Sequence, residues 1–244
     1  MKIVADENLA FTDYFFSEFG DIQHRAGRTL SADDVKDADS LLVRSVTQVN
    51  EVLLQNSSIK FVGSATIGTD HLDIAALEQH GIQWSNAAGC NAQAVAEYVI
   101  TALLQVRPEL LDANTTFTLG IVGLGNVGTR LAYMAKLLGW RVIGCDPFVQ
   151  REQVDQVEFH ELLQQADAVS IHVPLTKTGI YPTYHLFNAT ALAKMQPDAI
   201  LINSARGPVI EEAALIQDIQ ATHRTVILDV FEHEPLISAE LLDL

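Results

Sequence analysis

The sequence predicts an α/β protein made of two doubly wound parallel-sheet domains. Three observations lead there. Short apolar runs alternate with helical patterns along the whole chain. Many of those runs are apolar at consecutive positions, as strands buried on both faces require. A Gly-, Ala- and Asn-rich stretch, "NAAGCNAQ" at 86–93, separates one series of strand–helix units from a second. The domains are therefore expected at 1–92 and 93–244, with a cleft between them where ligands commonly bind.

The expected strands are "KIVAD", "SLLVRS", "IKFVG" and "IQWSN" in the first domain. In the second they are "TLGIVG", "RVIGCD", "AVSIHV", "AILINS" and "TVILDV". Helical periodicity falls near 72–80, 92–107, 126–139, 158–165, 188–195 and 211–222. No repeat or low-complexity tract interrupts this alternation.

Composition excludes several functional classes. The formal net charge is −16, which argues against nucleic acid or an anionic membrane as partner, since both call for a basic surface. A small anionic ligand remains compatible, because a pocket can be locally positive. The most apolar helix, 92–106, carries Glu97 and two glutamines, so no membrane span is expected. The opening "MKIVADENLA" meets Asp and Glu at once and does not read as a signal peptide. Cys90 and Cys145 have neither metal nor redox spacing and read as reduced thiols of a cytoplasmic protein. No pair of histidines has metal-ligand spacing with a carboxylate, so no metal is expected.

The stretch "TLGIVGLGNVGTRLAYMAKLLGWRVIGCDP" carries the first functional signal. A buried strand runs into G-L-G-N-V-G and then into an amphipathic helix. Gly123 permits the tight turn, Gly125 lets a diphosphate approach the backbone, and Gly128 lets helix pack on strand. The helix N-terminus offers free N–H groups and a positive dipole end. Asp146 closes the next strand about 20 residues on, where a carboxylate accepts from a ribose hydroxyl. A carboxylate there repels a 2′-phosphate, and no cation follows before Arg151, so NAD is favoured over NADP. The second domain is thus Rossmann-like.

Two further loops bear candidates. Arg206 follows the strand in "ILINSARGPVI", at the sheet edge where ligands bind, and an Arg can grip a carboxylate bidentately. Capping the strand or pairing with Glu211 or Glu212 serves that position equally well. "LDVFEHEP" offers Asp229, Glu232 and Glu234; a buried carboxylate there can orient a histidine, and Glu232 is read as a solvated surface charge. His71 and His80 read as caps or surface groups, His172 as a strand-end residue, and His185 as a loop residue.

"GLGNVG" with "CDP", "HVPLT", "INSARGPVI" and "LDVFEHEP" resemble the D-isomer-specific 2-hydroxyacid dehydrogenases. "DEN", "LLVRSVTQVNEVLL", "IKFVGSATIGTDHLD" and "NAAGCNAQAVAEYV" resemble the branch of that family that oxidises a phosphorylated four-carbon 2-hydroxy acid in vitamin B6 synthesis. The resemblance spans essentially the whole chain. It implies a flavodoxin-like substrate domain, NAD as cofactor, a phosphorylated hydroxy acid as substrate and a homodimer in the full-length form. It implies that Arg206 holds the substrate carboxylate and polarises the C2 oxygen, and that Glu234 orients a catalytic histidine. Ser45 and Thr66 match substrate-binding positions. Asn126, Val127, Asp146 and Asp229 match cofactor contacts, and Val173 falls where the family's backbone passes the cofactor.

The pattern breaks at one place. The family's acid/base histidine lies beyond the "EP" turn, and this sequence ends at Leu244 before any such motif. The expectation is a partial copy of a longer enzyme that binds NAD weakly or not at all and lacks its acid/base. The alternatives are a relative acting on another hydroxy acid, such as phosphoglycerate, or a non-catalytic NAD-responsive binding protein.

Overall fold

The computed structural model describes residues 1–112 and 114–244. The chain divides into two compact units, Met1–Cys90 and Asn91–Leu244.

The first unit holds five strands: β1 Lys2–Asp6, β2 Asp21–Arg25, β3 Ser40–Val43, β4 Phe61–Ser64 and β5 Gln83–Asn86. They form one sheet in the order β2-β1-β3-β4-β5, and every pairing is parallel. Its helices are short: α1 Thr12–Phe16, α2 Ala32–Val35, α3 Glu51–Leu54 and α4 Ile74–Gln79. Asn50 and Asp73 cap α3 and α4 by accepting from the Leu53 and Ala76 N–H groups. The central strand β3 is buried at all four positions, and Leu41 and Val43 join Val62, Leu54 and Leu77 in the core.

The second unit opens with α5 Ala92–Val106. Then come β6 Thr118–Val122, α6 Asn126–Leu137, β7 Arg141–Cys145, β8 Asp155–Gln156, α7 Phe159–Gln165 and β9 Ala168–Ile171. The chain continues through α8 Ala189–Leu192, β10 Ile200–Asn203, α9 Glu212–Thr222, β11 Val226–Leu228 and α10 Ala239–Leu242. The sheet order is β11-β10-β9-β6-β7-β8, again parallel throughout. Counted within the unit this is the 3-2-1-4-5-6 order of a dinucleotide-binding fold. Among the described residues β11 pairs only with β10, so it forms one rim of the sheet.

Helix α5 is long because its apolar positions recur at helical spacing. Ala96, Val99, Ile100 and Leu103 all face inward, against Leu131, Ala132 and Ala135 of α6. Strands β6, β9 and β10 lie between two packed layers and are almost wholly buried, which explains their unbroken apolar runs. Among the described residues no helix is long and apolar enough to cross a membrane.

Candidate functional site

The strand order of the second unit reverses between β6 and β9, whose connections lead away on opposite sides. That leaves a crevice at the carboxyl ends of the two strands, the place where open α/β sheets bind ligands. The glycine turn lies there. Gly123 has φ +96°, a left-handed value that side-chain-bearing residues rarely adopt. A Cβ on it would also lie 2.5 Å from the His172 carbonyl oxygen and 3.0 Å from Val173 Cγ1. The turn after β6 therefore touches the segment after β9, and Val173 is part of the crevice wall.

The other two glycines differ. A Cβ on Gly128 would lie 1.9 Å from the Gly123 carbonyl oxygen, so α6 can start this close to its strand only without a side chain there. A Cβ on Gly125 would meet nothing within 4 Å. Gly125 is thus not required by protein packing, and it borders open space at the start of α6. No side chain caps the α6 amino terminus. Gly125 and Asn126 are exposed and Val127 half-buried. Open space before an uncapped helix N-terminus fits a diphosphate, and with it NAD.

Asp146 is half-buried and braces this turn. Its Oδ2 accepts from the Leu124 N–H at 2.8 Å. Its Oδ1 accepts from the Phe148 and Val149 N–H groups at 2.9 and 3.1 Å. The carboxylate thereby links the end of β7 to the middle of the glycine turn. Arg151, noted in the sequence only as the nearest cation, donates from Nε to the Leu124 carbonyl oxygen at 3.2 Å. Leu124 is held from both sides by opposite charges.

Two more loops leave the same carboxyl edge. After β10, Asn203 Nδ2 donates to the Arg206 carbonyl oxygen at 3.0 Å, and Arg206 Nη1 donates to the Ala205 carbonyl oxygen at 2.8 Å. A Cβ on Gly207 would lie 1.9 Å from the Phe231 carbonyl oxygen, so the Arg206 loop presses on the loop after β11. There Glu234 Oε1 accepts from the Phe231 N–H at 2.9 Å, and the side chain is otherwise exposed. Asp229 is exposed, with its N–H on the Asn203 carbonyl oxygen at 3.0 Å.

Glu232 corrects the sequence reading. It is not a solvated surface charge: its side chain is only 10% exposed, and Oε1 lies 2.5 Å from His185 Nε2. Its Oε2 accepts from the Glu212 N–H at 2.8 Å, at the start of α9. Burial pushes its carboxyl up, but the Glu212 amide and His185 outweigh that and hold it below the usual carboxylate range. His71 is likewise no surface group; it is buried, with Nε2 2.9 Å from Ser64 Oγ. His172 is half-buried, with Nε2 2.8 Å from Ser170 Oγ. Burial drives its pKa down to about 4, so it is neutral at physiological pH.

In the first unit, Ser45 is exposed just past the carboxyl end of β3. Thr66 follows β4, with Oγ1 2.9 Å from Ser64 Oγ. Among the described residues no cluster of three His, Cys, Asp or Glu is placed to hold a metal.

The D-isomer specific 2-hydroxyacid dehydrogenase NAD-binding domain matches residues 105–244, which covers the glycine turn, Asp146, Arg206 and Glu234. The chain belongs to the D-isomer-specific 2-hydroxyacid dehydrogenase family. It is 72% identical, over 244 residues, to the erythronate-4-phosphate dehydrogenase of Acinetobacter baumannii strain AYE, covering 100% of this chain and 69% of the relative. The enzyme of the same name from Psychrobacter cryohalolentis is 46% identical over 99% of this chain and 70% of that one. In structure, this D-2-hydroxyacid dehydrogenase chain superposes on the D-lactate dehydrogenase of Aquifex aeolicus complexed with NAD and lactic acid. The TM-score is 0.80 at 22% identity, over 99% of this chain and 83% of that one, a likeness of fold.

Proposed function

We propose that the chain carries the machinery for NAD-dependent oxidation of 4-phospho-D-erythronate to 2-oxo-3-hydroxy-4-phosphobutanoate, a step of pyridoxal phosphate synthesis in the cytoplasm. The observation that carries the reading is 72% identity over all 244 residues to an erythronate-4-phosphate dehydrogenase. The open glycine turn and Asp146 supply a cofactor seat that agrees with it.

The roles follow from the chemistry of each position. The N–H groups after Gly125, at Asn126 and Val127, hold the diphosphate, and Gly123 and Gly128 keep turn and helix close enough for them to converge. Asp146 accepts from the adenosine ribose while bracing Leu124. Val173 and Asp229 line the cofactor's path. Arg206 grips the substrate carboxylate and polarises the C2 oxygen. Ser45 and Thr66 contact the substrate. NAD, when bound, supplies the hydride acceptor for C2. The hydroxyl proton must go to a base, and Glu234 is the carboxylate that would orient a histidine in that role.

No histidine follows the Glu234–Pro235 turn within these 244 residues. We infer that this polypeptide alone does not turn over, and that the full-length form is a homodimer. The test is a chimaera in which the chain is joined to the remaining segment of its 72%-identical relative. The chimaera is expected to form NADH with 4-phospho-D-erythronate, and the 244 residues alone are not. Faster oxidation of 3-phosphoglycerate by the chimaera would move the assignment to that substrate. Robust turnover by the short chain would show that a residue already present supplies the base.

A further inference from the structure

The sheet of the first unit also has a switch point. In the order β2-β1-β3-β4-β5 the chain reverses direction between β1 and β3, so the carboxyl ends of these two strands open a second crevice. Asp6 is the last residue of β1, and Arg44 follows the last residue of β3. Asp6 belongs to the "DEN" motif, which the cofactor chemistry does not use.

Asp6 is 2% exposed, an unusual place for a carboxylate. Its Oδ1 accepts from the Asn8 N–H at 2.8 Å and lies 3.3 Å from Arg44 Nε. Its Oδ2 and the hydroxyl of Thr47 are buried without a hydrogen-bond partner. Gly27, after β2, closes over both: a Cβ there would lie 2.2 Å from Asp6 Oδ2 and 2.6 Å from Thr47 Oγ1. Three segments thus converge on one buried anion. Arg44 Nε is buried with it, yet the Arg44 side chain as a whole is 35% exposed. Arg44 Nε makes no hydrogen bond, so the ion pair with Asp6 is what holds it inside, while the side chain keeps part of its surface in solvent next to exposed Ser45.

A buried ion pair is weak evidence for stability, since well-packed apolar residues often do as well. A guanidinium anchored through Nε to a buried carboxylate, on a side chain that still meets solvent, is a good seat for an oxyanion. We propose that Asp6 is a positioning residue that fixes the Arg44 guanidinium as the seat for the substrate phosphate. This rests on the phosphorylated acid being the substrate.

The test is calorimetric titration of the 244-residue chain with 4-phospho-D-erythronate, D-erythronate and inorganic phosphate. The wild type is expected to bind the phosphorylated acid more tightly than the unphosphorylated one. Arg44→Met should lose about tenfold or more in affinity for the phosphorylated acid and for phosphate, with D-erythronate unchanged. Arg44→Lys should not restore it, because an ammonium lacks the fork. Asp6→Asn separates positioning from simple charge. Removing a negative charge near an anion should tighten binding, whereas releasing Arg44 should weaken it several-fold. Tighter or unchanged binding in Asp6→Asn, or unchanged binding in Arg44→Met, overturns the assignment of the seat and leaves the substrate reading intact. A wild type that does not prefer the phosphorylated acid overturns both. Should Asp6→Asn fail to fold by circular dichroism, the two Arg44 variants decide the matter.

Discussion

At the scale of single residues, the glycines of the turn make separable predictions. Gly128→Ala drives a methyl into the Gly123 carbonyl; overpacking against backbone should cost about 3 kcal/mol, read as a lower urea midpoint. Gly125→Ala meets only open space, so its stability should match the wild type while NAD affinity falls. Equal stability loss in both variants would mean that the room beside Gly125 is not a ligand's. His172 predicts a pH dependence. Its pKa is lowered from 6.5 to about 4 in the fold. A base with a depressed folded pKa stabilises the native state above its unfolded value, and that contribution is lost as pH falls from about 6.5 towards 4. The loss should be on the order of 2 kcal/mol, given that the ring is partly exposed, and it should be absent from the pH profile of His172→Gln. The cysteines should differ too. Burial first, and then Glu158 and Asp146, push the Cys145 thiol up to about 11, so iodoacetamide at neutral pH should alkylate exposed Cys90 and leave Cys145 intact.

At the scale of elements, the His185–Glu232 pair ties the loop before α8, the start of α9 and the segment after β11 into one assembly. Glu232→Gln should weaken that tie by about 1–3 kcal/mol, and hydrogen exchange should rise in residues 183–187 and 229–235 but not in β6. The sequence could not show this pair, because its members are 47 residues apart and "FEHEP" reads as an ordinary acidic turn. Much else was legible. Nine strands were expected from apolar runs, and each coincides with a strand of the structure. The two that escaped are β2 and β8. Strand β2, "DIQHR", lies on a sheet edge with no fully buried position, and β8 has two residues. Helices α1 to α3 are four or five residues long, too short for a 3.6-residue period to repeat. The glycine turn was readable because each glycine answers a local steric demand. The buried setting of Asp6 was not, because it depends on a switch point that only strand order reveals.

At the scale of the whole molecule, two parallel sheets of different order repeat one principle: charged residues gather where strand order reverses. Asp146 and Arg151 hold the turn in one unit, and Asp6 and Arg44 face each other in the other. The net charge of −16 makes any anion-binding place depend on such local cations rather than on the protein's overall field. The rim strand β11 has a further consequence for behaviour in solution. A strand bonded along one margin is a template for a like strand from another copy. Mutual repulsion of strongly acidic chains holds this in check at low ionic strength. Screening shortens the reach of that repulsion to about 8 Å near 0.15 M salt. Light scattering should therefore report a particle mass that climbs with added sodium chloride, and a mass indifferent to salt would show that the rim is already shielded.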